Sequence, residues 1–350
     1  MRRSYLDWNA TAPLRPEARA AMIAAMDVVG NPSSVHAEGR AARSLMERAR
    51  AQLATALGAE ASDVVFVSGS TEAAALACAG RGLRCAGVEH DAVLAWCEAD
   101  LPVDGQGRIG LPETGAVAVQ LANSETGIVQ DLSPAVAVSD LTQGFGKIPF
   151  AFDWSGVEMG FVSAHKIGGP KGVGALIIRR GLDLAARICG GGQEMGRRAG
   201  TENLIGIAGF GAAAEAASQD LANGIWDGVA ELRNILEKAL SSAANKTIFV
   251  GNQGPRLPNT LCLATPGWKG ETQVMQMDLA GFAVSAGSAC SSGKVRASRV
   301  LTTMGLDTQA AASAIRVSLG PAVNEGEVLR FADAWIGQWK RFGHRAAENV

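Results

Sequence analysis

The chain predicts an α/β fold: a mostly parallel central sheet sandwiched by helices, joined to a smaller α+β domain. Three observations carry this. Short apolar, β-branched runs alternate with stretches of helical periodicity between about residues 16 and 241, and strands apolar along their whole length belong in sheets covered on both faces. Glycine is abundant, 43 of 350 residues, and falls at the joints between those segments, where tight turns need it. From about residue 245 the texture changes to short strands between short helices. We expect a large domain over 14–244 and a small one built from 1–13 with 245–350.

Taken in order, residues 16–27 and 37–57 read as helices, the second ending at Gly58, a glycine suited to the left-handed position after a helix. "DVVFVSG" (63–69) is a strand, and "STEAAALACAG" after it is a helix with a polar start. "CAGVEHDAV" (85–93), "AVAVQLANSE" (116–125), "AVAVSD" (135–140) and "GFVSAHK" (160–166) each read as a strand with a polar end, and "GVGALIIRR" (172–180) as one more. Helices follow at 204–219 and 226–241. In the last part "NTLCLAT", "GFAVSAG" and "IRVSLG" are strands, and an amphipathic helix lies near 325–342.

Composition narrows the function. The net charge is −2 with no long basic run, which argues against an extended nucleic-acid surface. No apolar stretch reaches 18 residues and none opens the chain, so we expect no membrane span and no secretory signal. The six cysteines, Cys78, Cys85, Cys97, Cys189, Cys262 and Cys290, form no C-x-x-C pair. That spacing fits a reducing cytoplasm and neither a disulfide framework nor a metal site.

Ligands of mostly parallel sheets sit at the carboxyl ends of the strands. The polar residues there are Ser70, Thr71, His90, Asn123, Asp140, Ser163, His165 and Lys166. No lysine fits a P-loop: Gly146-Lys147 is followed by Ile148, Gly293-Lys294 by Val295, and Lys171 by glycine. A lone lysine is ordinarily a surface residue. Lys166, however, ends an apolar strand, and an amine desolvated there has a lowered pKa and can form a Schiff base with a carbonyl. Pyridoxal phosphate (PLP) would further need a carboxylate for its ring nitrogen, hydroxyls and amides for its phosphate, and a stacking group. Asp140, the Gly69-Ser70-Thr71 turn and His90 could supply these, although each also has an ordinary structural explanation as a turn, cap or packing residue.

Together the motifs "YLDWNATAP", "GNPSSVH", "SGSTEAAALA", "VEHDAVL", "NSETGIVQDL", "SDLTQGFGKIP", "SAHKIGGPKGVGAL", "GGGQEMGRRAGTEN", "SAGSACSSG" and "AIRVSLG" resemble, in that order, those of cysteine desulfurases. These are class V aminotransferase-type PLP enzymes with the aspartate aminotransferase fold (fold type I). The resemblance spans about Tyr5 to Gly320. It implies that Lys166 holds PLP, that His90 stacks on the ring, that Asp140 pairs with its nitrogen and that Gln143 bonds its phenolic oxygen. Ser70, Thr71, Ser163 and His165 would bind the phosphate, and Thr201 would reach the phosphate of a second subunit, giving a homodimer with shared sites. Arg316, helped by Asn123, would grip the carboxylate of L-cysteine.

Cys290 selects among reactions that share this scaffold. Its segment, "SAGSACSSGKVRAS", is rich in glycine and serine and includes Lys294. A free cysteine is commonly a small buried residue. The resemblance instead implies that Cys290 takes the sulfur of L-cysteine as a persulfide, leaving alanine, for delivery to a sulfur acceptor or iron–sulfur scaffold protein. A selenocysteine lyase, another class V enzyme, or a binding subunit that has lost catalysis are the alternative readings. The sequence departs from the family pattern in one crossover, where only eight residues (Leu132 to Ser139) separate "VQD" from Asp140. A parallel crossover usually takes 10–12, so this one should be irregular or its strand short. The stretch from His90 to Asn123 is short as well.

Overall fold

The computed structural model describes residues 3–132, 136–287 and 297–348. The first part of the chain runs β1 (Ser4–Tyr5), α1 (Pro16–Met26), α2 (Ala37–Leu57), β2 (Ser62–Val67), α3 (Ser70–Cys78), β3 (Arg84–Ala86), a single-turn α4 (Asp91–Leu94) and β4 (Glu98–Leu101). It continues through β5 (Val117–Gln120), β6 (Val136–Asp140), β7 (Met159–Ser163), β8 (Gly174–Arg179), α5 (Leu204–Ala222) and α6 (Ile225–Ala243). The remainder comprises β9 (Ile248–Val250), β10 (Thr260–Ala264), α7 (Gly270–Leu279), β11 (Phe282–Ala283), β12 (Ser285–Ala286), α8 (Arg299–Thr303), α9 (Thr308–Ala311), β13 (Ala314–Ser318) and α10 (Glu325–Glu348).

Seven strands form the central sheet in the order β2-β8-β7-β6-β5-β3-β4. β8 runs against both its neighbours, and the remaining pairs are parallel. The apolar strands bury both faces, and the two-residue period divides them between two cores. Val64, Phe66, Val117, Val119 and Ile177 join the core under α2 and α5. Val65, Val67, Ala118, Leu176 and Ile178 join the one under α3. α2 starts at His36, whose ring accepts from the Gly39 N–H, and ends at Gly58 with φ 59°. α5, rich in alanine and glycine, lies so close to α2 that a Cβ on Gly211 would stand 2.7 Å from the Ala49 Cα.

A second sheet, β12-β13-β10-β9, is antiparallel throughout, and β1 pairs with β11 beside it. A third core covers this sheet and draws in Leu6, Leu261, Leu263, Ile315, Phe331 and Trp335. Trp226, Val229, Leu236 and Leu240 of α6 also belong to it. We propose that the seam between the large and small domains runs along α6. Among the described residues no helix is long and apolar enough to cross a membrane, and the five described cysteines are free thiols.

Four local expectations are corrected. The strand expected over 85–93 is only Arg84–Ala86, because Glu89 turns back to Ala86 and His90 caps α4. The strand expected to run to Lys166 stops at Ser163, and Ala164–Lys166 form a 3-10 turn. "GFAVSAG" divides into β11 and β12, which pair with different partners. β4 was not expected at all; three of its four residues are exposed, as on a sheet edge, so its apolar signal is weak. The connection from β5 to β6 is irregular over its described residues, as its length demanded, and contains turns and no helix.

Gly174, at the start of β8, lets this strand touch the loop before α3: a Cβ there would lie 2.7 Å from the Gly69 Cα and 2.7 Å from the Val162 carbonyl oxygen. Neither backbone can yield as a side chain would. Gly174→Ala is expected to cost about 1–3 kcal/mol, seen as a lower denaturant midpoint. An unchanged midpoint would show that the α3 entry moves freely.

Candidate active site

The parallel strands place their carboxyl ends side by side, with Gln120 of β5 opposite Asp140 of β6, and Asp140 opposite Phe161 of β7. Above these ends lies a cavity of about 680 Å³. Ser70, Thr71, His90, Asp140, Gln143, Ser163, His165, Lys166 and Arg316 all line it. Five distant segments thus bring together nine of the residues picked out from the sequence.

Lys166 reaches the cavity from the 3-10 turn after β7. Its amine donates to the carbonyl oxygens of Asn9 (2.6 Å) and Ala10 (2.9 Å). Burial, then the nearby Arg316 guanidinium, lowers its pKa to about 8, which makes it a usable nucleophile and base near neutral pH. Asp140 accepts from the Thr142 N–H at 2.9 Å. Burial raises its pKa, opposed by the Thr142 hydrogen bonds and by His90 and Lys166. Burial, reinforced by Lys166 and Lys171, pushes His165 down to about 4, so its ring is neutral at pH 7 and bonds Thr11 Oγ1 at 3.2 Å.

The α3 N-terminus forms another wall. Its cap is Gly69, and among the described residues no side chain caps the first turn. Unsatisfied first-turn N–H groups with the positive end of the helix dipole favour an anion. Hydroxyls surround that end: Ser70 Oγ bonds Thr142 Oγ1 at 2.7 Å, and Thr71 and Ser163 face the same cavity. His90 Nδ1 accepts from the Ala92 N–H at 3.1 Å, which leaves Nε2 to carry the proton of the neutral ring.

Arg316, on β13, comes from the small sheet. Its Nη2 donates to Asp7 Oδ1 at 2.6 Å and its Nη1 to the Ser124 carbonyl at 3.0 Å, while the buried Nε has no partner among the described residues. Asn123 is placed differently from the other expected residues. It is buried and does not line the cavity; its Nδ2 donates to the Val88 carbonyl (3.0 Å), and its Oδ1 accepts from the Glu125 and Thr126 N–H groups. Thr201 is exposed and also lies off this cavity. Cys290 and Lys294 lie outside the described residues. Asn9, Thr11, Gln120, Thr142, Lys171 and Ser285 also line the cavity without having been picked out as site residues. Asn9 sits in the "YLDWNATAP" motif, so a signal existed, but an asparagine far away in sequence says nothing about which lysine it meets.

The class V aminotransferase model ("Aminotransferase class-V") matches residues 4–100 and 104–331. The chain belongs to the class V aminotransferase family. A relative described as "Cysteine desulfurase" from Cereibacter sphaeroides is 40% identical, with 95% of each chain covered. Among solved structures, the NifS-like protein from Rickettsia africae superposes with a TM-score of 0.88 at 31% identity, covering 97% of this chain and 99% of that one. A structure described as "SspA in complex with cysteine" superposes with a TM-score of 0.75 at 26% identity, over 91% of this chain and 99% of that one. Class V members share a scaffold and differ in chemistry, so the cavity's own residues carry the functional argument.

Beside the cavity, Glu125 is buried with Oε1 lacking any partner among the described residues. Burial raises its pKa to about 7, against the lowering effects of Ser298, Arg316 and Arg299. In the unfolded chain a glutamate titrates near ~4.3. As pH rises between these values the unfolded state loses a proton that the folded state keeps, so Glu125 subtracts stability progressively up to about pH 7, above which the loss levels off. Glu125→Gln is therefore expected to be more stable than wild type at pH 8, by up to about 3 kcal/mol, with the two converging below pH 4.5. Parallel thermal melts across that range check it.

Proposed function

We propose that this protein is a PLP-dependent cysteine desulfurase that moves the sulfur of L-cysteine onto Cys290 and releases L-alanine. The observation that carries this reading is the desolvated amine of Lys166 in one cavity with Asp140, an open helix N-terminus and the Arg316 guanidinium. The family and the 40% identity to a relative described as a cysteine desulfurase support it.

The residues present fit PLP. The uncapped first turn of α3, with Ser70, Thr71, Ser163 and neutral His165, suits a phosphate. Asp140 has one carboxylate oxygen bonded to Thr142 and, buried as it is, gains from a cationic ring nitrogen. His90 would stack on the ring, Gln143 would donate to its phenolic oxygen, and Lys166 would hold it. When bound, PLP supplies an electrophilic carbon for amines and an electron sink for the negative charge left by deprotonation.

Arg316 binds the substrate carboxylate, since two parallel N–H groups match two oxygens; Asp7 and Ser124 already fix the plane of its guanidinium. Lys166, as a free amine of lowered pKa, takes the proton from the substrate α-carbon. The Cys290 thiol accepts the sulfur. In sum the substrate C–S bond breaks and an S–S bond forms, so L-cysteine and Cys290–SH become L-alanine and Cys290–S–SH, with every atom conserved and no outside oxidant. We further propose a homodimer in which Thr201 reaches the phosphate of the second subunit, and a protein acceptor that takes the persulfide sulfur.

Purified protein should be yellow, and Lys166→Ala should lose that absorbance. An unchanged visible spectrum would place the cofactor elsewhere. Cys290→Ser should stay yellow and lose at least ~10²-fold in sulfide release under reductant; full activity would remove Cys290 from the reaction. Mass spectrometry after incubation with L-cysteine should find 32 Da (the mass of one sulfur atom, roughly) added at Cys290, and with selenocysteine as the sole productive substrate the desulfurase reading fails.

A further inference from the structure

Lys147 is a lysine buried without a carboxylate partner among the described residues. It is 3% exposed. Its amine donates to Gln143 Oε1 at 2.9 Å and to Asn9 Oδ1 at 3.2 Å. Burying a charge against neutral amides is costly, and a methionine of similar length would fill the space without that cost. The arrangement therefore asks for a use.

That use lies in what Lys147 does to Gln143. An amide side chain can present either its oxygen or its nitrogen to a ligand, and only its partners decide which. Gln143 is held at both ends: Lys147 donates to Oε1, and Nε2 donates to the Asn9 carbonyl at 3.0 Å. That carbonyl also receives the Lys166 amine, at 2.6 Å. Gln143 lines the cavity, and among the described residues its Nε2 has the Asn9 carbonyl as its one hydrogen-bond partner. The amine of Lys147 has at least two N–H bonds in either protonation state, enough for both oxygens. Burial, together with Lys166 and Arg316, lowers its pKa well below the ordinary lysine value. On its other side Lys147 borders a cavity with Asp227, Arg233 and Arg256.

We propose that Lys147 is a positioning residue: by holding the oxygen of Gln143 away from the cavity it keeps that side chain a hydrogen-bond donor toward the phenolic oxygen of the cofactor. This rests on the PLP reading above. It assigns to the lysine of "GFGKIP" a role in tuning the chromophore, without contact with substrate. A donor opposite an anionic oxygen stabilises the deprotonated form of the lysine-linked chromophore, so losing that donor raises the pH at which the visible band titrates.

The test is a pH titration of that band in the holoprotein. Lys147→Met is expected to raise the midpoint by about one pH unit, a tenfold gain in proton affinity, and Gln143→Met to raise it similarly. The double variant should shift no further than Gln143→Met alone, because Lys147 acts through Gln143. An unchanged midpoint in a folded, yellow Lys147→Met protein overturns the proposal, and so does a double variant whose shift is the sum of the two. If Lys147→Met is not recovered folded, Lys147→Gln, which loses the obligate donor but keeps polarity, carries the same expectation. A colourless wild type, or colour that survives Lys166→Ala, overturns the cofactor reading instead.

Discussion

Asn9 joins the two sheets, and the site exists only because it does. Its N–H donates to Ser318 Oγ of β13 and its Nδ2 to Thr260 Oγ1 of β10 and to the Ser124 carbonyl. Its carbonyl receives Lys166 and Gln143, and its Oδ1 receives Lys147 and Asn259. The residue is 1% exposed, so each of these polar groups would be costly if left alone. Because every one is satisfied, the network has one arrangement. It ties the N-terminal segment across the strand ends, between Lys166 on the turn after β7 and the small sheet that carries Arg316.

The same burial tunes the chemistry. Loss of water pushes Lys166 and His165 down and Asp140 and Glu125 up, so these four groups all move toward their neutral forms. The ligand proposed above, carrying a phosphate and a protonatable ring, would restore the compensating charges in place. Arg316 is held differently, in an ion pair with Asp7.

The helix α3 and the strand β8 illustrate how tightly the scaffold supports this. At Gly174 a Cβ would stand 2.7 Å from the Gly69 Cα, so β8 and the entry to α3 meet backbone to backbone where only glycine fits. Opposite them, the loop before α5 is anchored by Glu194, a buried residue with φ 47° whose carboxylate receives Arg50 and the Phe66 N–H. A left-handed non-glycine residue held by an ion pair is a strained feature maintained by its surroundings, and it fixes the stretch that leads to Thr201.

Local chemistry wrote much of this protein into its sequence. The apolar strands, the left-handed Gly58 after α2 and the polar strand ends at Asp140 and Ser163 follow from periodicity and backbone preference, which depend on near neighbours. The ordered motifs carried the family. The tertiary structure alone decided which polar residues meet. Asn123 and Lys147 both lie within recognised motifs, yet the first folds inward to tie a turn while the second donates to Gln143. Hydrogen bonds between residues more than 100 positions apart, such as Asn9 with Lys166, depend on how two sheets pack, and no short-range pattern encodes that packing.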